Sequence, residues 1–340
     1  MQRDRVTIKT VARAAGVTHT TVSRVIHDDS RISKETGDRV RAAMQQLNYQ
    51  PNLIARGLVQ NHTQVIALIN PEVAPFAVSI IRSVAERCHE REYAMMLFPT
   101  NTWLMEQLSF KWITEHWLVD GVLIHNLIQH HQVPQPILDL RAVCYPFVFI
   151  NKFLDEKDLN SVGTDDNDAL DKAVRHLVEL GHRRIGLLNG DLTSTDGFGR
   201  DKAFRLAMQN AGLPIPASRI ACGMWRDTDA RQETLRMLDQ AEPPTALFCA
   251  NDMMGIGALR ACREKGLRVP QDISIVGYDD HEVAHHIETP LTTIRPPLVE
   301  VGGKSFDLLM QIIQDRTRQP EQIRVPADLV IRASSGPASR

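Results

Sequence analysis

From Gln64 onward, short apolar runs recur with room for one helix between each pair. They are Val65–Ile69, Ala94–Phe98, Gly121–Ile124 and Phe147–Ile150; after Asp165 the series restarts with Arg184–Leu188, Ala246–Ala250 and Ile273–Gly277. Strands buried on both faces read as such runs. Alternation with helical stretches such as Ala169–Leu180 makes βαβ units and parallel sheets. Two series in one chain predict an α/β core of two doubly wound parallel-sheet subdomains. Ligands of these sheets bind beyond the carboxyl ends of the strands, here in the cleft between the halves. The 340 residues, 43% hydrophobic and 24% charged, suffice for this core and a further small domain.

The N-terminus is polar and charged, unlike a secretion signal, and no apolar run reaches the length of a membrane span. Cys88, Cys144, Cys222, Cys249 and Cys262 are odd in number, scattered and free of a CxxC. They read as reduced, mostly buried thiols of a cytoplasmic protein, with no zinc or other cofactor implied. The net charge of −2 is uninformative until it is divided. Through His62 there are ten basic and five acidic residues, and in the remainder 29 basic and 36 acidic. A basic head on an acidic body fits a polyanion held at one end only.

The head reads as three helices. Ile8, Val11, Ala12 and Ala15 share one face of a first helix, Thr7 to Ala15. Gly16-Val17 breaks it, since glycine accepts the positive φ of a tight inter-helix turn. Thr18 is an N-cap for a second helix through His27, with Val22, Val25 and Ile26 inward and His19, Thr20, Ser23 and Arg24 outward. A third helix starts near Ser33 and buries Val40, Met44 and Leu47. A second helix of this kind presents its first residues to base edges in the major groove. Arg24 can fork onto guanine and Thr20 can offer a hydroxyl or a methyl. Thr18, Thr21 and Ser23 suit phosphates, although capping or solvation would use the same residue types. Pro51 to Val59 reads as a hinge. Pro51 stops the third helix, Asn52 can cap a two-turn helix, and a helix that short, containing Gly57, is marginal in water. A plain linker has the same composition.

Val6-Thr7-Ile8, Val11 to Ile26, Leu47-Asn48-Tyr49-Gln50-Pro51-Asn52 and Ala55-Arg56-Gly57-Leu58 together resemble the head of the LacI/GalR family of bacterial regulators. The resemblance continues through Gly181 to Ile185 and Leu291 to Arg295 to about Ala333. It implies that His19, Thr20 and Arg24 read bases, that Asn52 and Ala55 lie at the DNA, and that Leu58 wedges into the minor groove. It also implies a core like periplasmic sugar-binding proteins. The expected division is a helix-turn-helix domain over 1–50, a hinge over 51–62, and an effector-binding and dimerisation core over 63–333. Within the core, a first subdomain takes about 63–160 and 293–323 and a second about 161–292 and 324–333. Residues 334–340 form a tail without apolar heptads, so the expected assembly is a homodimer on double-stranded operator DNA.

Several polar residues fall just past strand ends: His125 and Asn126, Asn151, Asn251 and Asp252, Asp279 and Asp280. By resemblance Arg200, Trp225, Asn251 and Asp279 hold a small sugar effector, and Pro71, Phe76, His125 and Asn151 supply the first half of the pocket. The chemistry suits a polyol: a guanidinium fork, a carboxylate acceptor, an amide and a flat apolar ring. Asp279 would equally cap a helix, and Trp225 would equally serve as core. The segment Asn70 to Phe76 lacks the family's frequent Asn-Pro-Phe-Phe run, Asn151 stands where many members carry Asp, and His125 is atypical. These departures leave a nucleobase corepressor as the alternative effector. An enzyme and an exported sugar-binding protein are the distant rivals. No Walker loop, nucleophile elbow or strand-linked GxGxxG occurs, and Asp165, Asp166 and Asp168 read as a helix start, not a metal site.

Overall fold

The computed structural model describes residues 6–26, 29–49, 62–70, 75–99, 113, 119–125, 135–151, 153 and 158–339, with residues 75, 76 and 99 described by backbone alone. The chain divides into two units, Met1–Gln64 and Val65–Arg340. The expected hinge residues Asn52, Ala55 and Leu58, and also Pro71 and Asn126, lie outside the described residues.

In the head unit, α1 (Ile8–Ala15) opens on a reciprocal cap: the Thr7 side chain accepts from the Thr10 backbone, and the Thr10 side chain accepts from Thr7. It closes at Gly16, whose φ of 65° lets the chain turn sharply into α2 (His19–Ile26). The Ser33 side chain accepts from the Thr36 backbone and starts α3 (Lys34–Gln46). Val11, Ala12, Ala15, Val22, Val25, Val40 and Ala43 fill the space between the three helices. Met44 and Leu47 are half-buried against them.

The core unit holds the two doubly wound sheets that the apolar runs predict. The first contains β1 (Val65–Asn70), β2 (Ala94–Pro99), β3 (Gly121–His125), β4 (Phe147–Ile150), β5 (Ser161–Thr164) and β11 (Gln322–Val325), in the order β11-β5-β4-β3-β1-β2. The second contains β6 (Ile185–Asn189), β7 (Ile220–Cys222), β8 (Ala246–Cys249), β9 (Ser274–Tyr278), β10 (Thr292–Arg295) and β12 (Asp328–Val330), in the order β12-β10-β9-β8-β6-β7. Every pairing is parallel except that of β12 on β10. Helices α4 (Pro75–Glu90), α5 (Gln135–Ala142) and α11 (Leu298–Gln314) belong to the first subdomain. Helices α6 (Asp166–Glu179), α7 (Thr195–Asn210), α8 (Asp227–Leu238), α9 (Asp252–Glu264) and the short α10 (Glu282–His286) belong to the second.

Three boundaries differ from expectation. Strands β5 and β11 pair with each other in the first sheet, so the chain crosses after Thr164 and after Val325 instead of near Ser161 and Arg324. Strand β10 stays in the second sheet beside β9, which moves the remaining crossing from about residue 293 to Pro296-Pro297. Two of the three crossings therefore fall at proline, at Pro296-Pro297 and at Pro326, where the ring removes a ladder donor. The expected tail is partly core as well. The Ser334 hydroxyl accepts from the Thr292 backbone at 2.7 Å and donates to the Ile275 carbonyl at 2.6 Å. The buried His182 Nε2 reaches the Gly336 carbonyl at 3.0 Å. Strand β7 is only three residues long, and Met224 and Trp225 turn away from it with φ of 49° and 64°.

Candidate DNA interface and effector cleft

Helix α2 places its residues as the amphipathic pattern requires. Val22 and Val25 are buried; Thr18, His19, Thr20 and Arg24 are exposed; Thr21 and Ser23 are half-buried. The Thr18 hydroxyl accepts from the Thr21 backbone at 3.2 Å and meets the Thr21 hydroxyl at 2.9 Å. These two residues therefore brace the helix start. His19 and Thr20 stand at the first turn, and Arg24 follows on the next. The Arg24 guanidinium is 4.0 Å from Asp29 and half exposed, so it is only loosely held. Asp29 is engaged mainly by Arg31, at 2.6 Å, which holds its carboxyl well below the usual range.

In the core unit, Arg200 is the centre of a cluster at the carboxyl ends of the second sheet's strands. Helix α7 follows β6 and carries Arg200 inward. Its guanidinium lies over the Tyr278 ring at 3.6 Å from the centroid and faces Trp225 at 5.6 Å. One Nη donates to the Ala250 carbonyl at the end of β8, and the other is 3.5 Å from Asp279 Oδ1 at the end of β9. Nε is buried without a hydrogen-bond partner among the described residues. Burial opposes the charge of Arg200. Asp279, Tyr278, Asp196 and Asp166 outweigh that opposition, so the guanidinium stays ionised with its pKa raised.

The acids around it behave differently. Burial lifts the Asp279 carboxyl to about 6 despite the attraction of Arg200. Burial also raises Asp166, which accepts from the Tyr278 hydroxyl at 2.6 Å. Asp279 takes φ of 107° and Asp280 φ of 52°, a sharp reversal after β9 that separates the two side chains. Asp280 turns to Arg332 at 2.6 Å and His285 at 2.8 Å, and also meets Arg295. Asp252 is spent on the Thr293 hydroxyl at 2.6 Å and the His281 backbone at 2.7 Å, with burial lifting it to about 7.

Trp225 packs closely on Gly190 because Gly190 has no side chain. A Cβ at Gly190 would stand 2.1 Å from the indole Cζ2. Asn251 holds the loop from the other side: its amide nitrogen donates to the Trp225 carbonyl at 3.2 Å, and its oxygen caps α9 through the Met254 backbone at 2.8 Å. In this arrangement Asn251 positions Trp225.

In the first subdomain, His125 at the end of β3 is buried with Nδ1 2.6 Å from Asn70 Oδ1 at the end of β1. Burial pushes its pKa down to about 4, with Asp196 acting in the opposite sense, so the ring is neutral at pH 7. Asn151 gives its side-chain oxygen to the Thr164 backbone at 3.0 Å and so braces the crossing after β5. Phe76 lies in the first turn of α4, where only the backbone is described.

Arg200, Trp225, Asn251 and Asp279 thus come together, and Tyr278, Asp166 and Gly190 join them without having been marked in the sequence. Tyr278 precedes Asp279 at a strand end, which is the signal that would have found it. Asp166 is hidden in the run read as a helix start, and there Asp165 is the actual cap. No cluster of His, Cys, Asp or Glu fit for a metal occurs among the described residues, and no helix among them is long and apolar enough to cross a membrane.

A helix-turn-helix head with an exposed α2 face, in one chain with two doubly wound sheets and a cluster of polar groups at their strand ends, defines a ligand-controlled DNA-binding protein. Residues 7–52 match the profile of bacterial regulatory proteins of the lacI family, and residues 174–335 match the periplasmic binding protein-like domain. The chain is 36% identical over 336 residues, 96% of its own length and 98% of the relative's, to the HTH-type transcriptional repressor PurR of Haemophilus influenzae strain PittEE. It superposes on a Lac repressor dimer bound to operator and the anti-inducer ONPF with TM-score 0.85 and 30% identity, covering 98% of this chain and 100% of that one. A transcriptional regulator CelR in complex with cellobiose matches with TM-score 0.73 and 30% identity over 97% of this chain and 100% of that one. The chain belongs to the LacI family and is a DNA-binding transcriptional repressor.

Proposed function

We propose that the protein is a cytoplasmic homodimeric repressor of a carbohydrate-utilisation operon, released from a palindromic operator by a small sugar. It carries out no catalysis. His19, Thr20 and Arg24 read base edges; Thr18, Thr21 and Ser23 bond phosphates; the 51–62 hinge, with Asn52, Ala55 and Leu58, enters the minor groove. Arg200, Asp279 and Trp225 hold the sugar, with Asn251 holding Trp225, and His125, Asn151, Pro71 and Phe76 lie on the opposing half.

The observation that carries this reading is the guanidinium held between Trp225 and Tyr278 and beside Asp279. It offers a rigid donor, a carboxylate acceptor and an aromatic wall at the carboxyl ends of the strands, which is what a polyol ring requires. The complex of the similar regulator CelR with cellobiose supports it. A nucleobase corepressor is the second reading, and the 36% identity to PurR favours it. Anisotropy of a selected palindromic operator, titrated with free sugars and with nucleobases, separates the two. The proposal expects a sugar to release DNA. Tightening by a nucleobase, with no release by any sugar, would replace it with the second reading.

A further inference from the structure

We propose that Asn189 is a further effector-contacting residue that sets specificity: with Arg200 it forms a two-donor seat for one oxygen acceptor of the ligand, a hydroxyl or a carbonyl. The proposal rests on the Arg200 cluster being the effector site, and the chemistry is the same for a sugar and for an oxygen-bearing nucleobase.

Asn189 ends β6 and is 1% exposed. Its Oδ1 accepts from the Gly190 backbone at 2.9 Å, and since a backbone N–H can only donate, this contact fixes which end of the amide is oxygen. The other end, Nδ2, is buried without a hydrogen-bond partner among the described residues. Arg200 Nε is in the same condition, while the two Nη groups of Arg200 donate to Ala250 and Asp279. A buried donor without a partner costs stability, so each such group calls for an explanation.

The fold brings these two donors to one place. Ile185 and Leu187 pack in one cluster with Phe204 of α7, and the two-residue period of a strand puts Asn189 on that same face. Arg200 precedes Phe204 by one turn of α7, on the same side of the helix. In the sheet Leu188 pairs with Cys249, so Asn189 stands beside Ala250, the residue whose carbonyl receives Arg200. Neighbouring strands lie about 4.8 Å apart, so the anchor of Arg200 is one strand spacing from Asn189. The Trp225 indole packs on Gly190, the next residue along the chain, and Asp279 lies 3.5 Å from the other Nη. An oxygen with two lone pairs can accept from both Nδ2 and Nε. A sugar hydroxyl does so and gives its own proton to Asp279; a ring carbonyl with a neighbouring N–H meets the same groups. A bare C–H at that position leaves both donors unpaired, which a site built around such donors penalises heavily.

The test is calorimetric titration of the full-length protein with glucose, galactose, ribose, cellobiose and hypoxanthine, followed by the monodeoxy analogues of whichever binds, with purine as the deoxy analogue of hypoxanthine. At least one member binds wild type. Asn189→Asp, which keeps an oxygen on the Gly190 backbone and turns the donor into an acceptor, weakens that binding at least about tenfold, and so does Asn189→Ala. One deoxy analogue binds wild type at least about tenfold more weakly than its parent, and that ratio narrows at least about threefold in either variant, a coupling that a merely structural asparagine does not produce. Binding of the parent by both variants at wild-type strength overturns the proposal. So do deoxy ratios that are the same in wild type and variant, and so does a panel with no binder. Loss of folding in both variants, read by thermal melting, assigns Asn189 to the structure and overturns it as well. Hypoxanthine binding without any sugar removes the sugar reading and leaves this one standing, with purine against hypoxanthine as its test.

Discussion

Replacing Arg200 by methionine tests the electrostatics of the cleft most sharply. Methionine keeps much of the apolar bulk over Tyr278 but removes the charge. Arg200 and Asp279 are only 12% and 20% exposed, so taking away one partner strands the other in a low-dielectric site. Such a change costs about 3–5 kcal/mol, to which the guanidinium contact with Tyr278, worth up to ~2 kcal/mol, contributes. The deficit must depend on pH. Asp279 is already raised to about 6 with Arg200 present, and Asp166 is raised too. Without Arg200 both rise further above the unfolded value near ~3.9, so the folded chain holds the extra protons. Stability then falls as pH climbs from about 4 through 6 and beyond. Urea unfolding should show Arg200→Met losing about 3–5 kcal/mol at pH 8 and about 2 kcal/mol or less at pH 5.5. The double variant Arg200→Met/Asp279→Asn should return to within about 2 kcal/mol of wild type at both pH values, because the carboxylate in direct contact with Arg200 is gone and the remaining one, Asp166, keeps the Tyr278 hydroxyl. Equal deficits for the single variant at the two pH values, or a double variant no more stable than the single at pH 8, would refute this account.

Three further outcomes follow from the same geometry. Arg24→Ala should cost roughly 1–3 kcal/mol at the cognate operator and relax the preference at one base pair, as read by binding-site selection. Gly16→Ala should destabilise the head by about 1 kcal/mol in thermal unfolding; open space surrounds the added methyl, and only the φ of 65° is strained. Gly190→Ala should push the indole of Trp225 out of place and weaken effector binding at least about tenfold in calorimetry, while Trp225→Ala/Gly190→Ala should bind no worse than Trp225→Ala alone.

Much of the fold is legible in the residues. The runs Val65–Ile69, Gly121–Ile124 and Phe147–Ile150 all fall in buried strands, because a strand covered on both faces needs a continuous apolar sequence. The head is legible for a similar reason: Thr7, Gly16, Thr18 and Ser33 are local signals that act within one helical turn. The membership of β5, β10 and β11 is not. A four-residue strand beside a crossing carries no mark of which sheet it joins, and only tertiary pairing decides. The site divides in the same way. Arg200 and Asp279 stand out by charge at a strand end or helix start. The surroundings that give them their chemistry, Tyr278, Asp166 and the missing side chain of Gly190, come from distant parts of the chain and leave no local pattern. Conversely, Asn151 and Asn251 look like ligand donors in the sequence, yet in the fold their oxygens brace a crossing and cap a helix.

The central claim is that a ligand in the Arg200 cleft controls the grip of the head on DNA. A ligand can do so only by binding one arrangement of the core better than another. The most direct measurement is the operator dissociation constant of wild type and of the folded double variant Arg200→Met/Asp279→Asn, each with and without the sugar that calorimetry identifies. Wild type should weaken at least about tenfold with sugar, a coupling of ~1.4 kcal/mol, while the double variant should hold the operator within about twofold of unliganded wild type and ignore the sugar. Release of the double variant at the same sugar concentration as wild type would contradict the account.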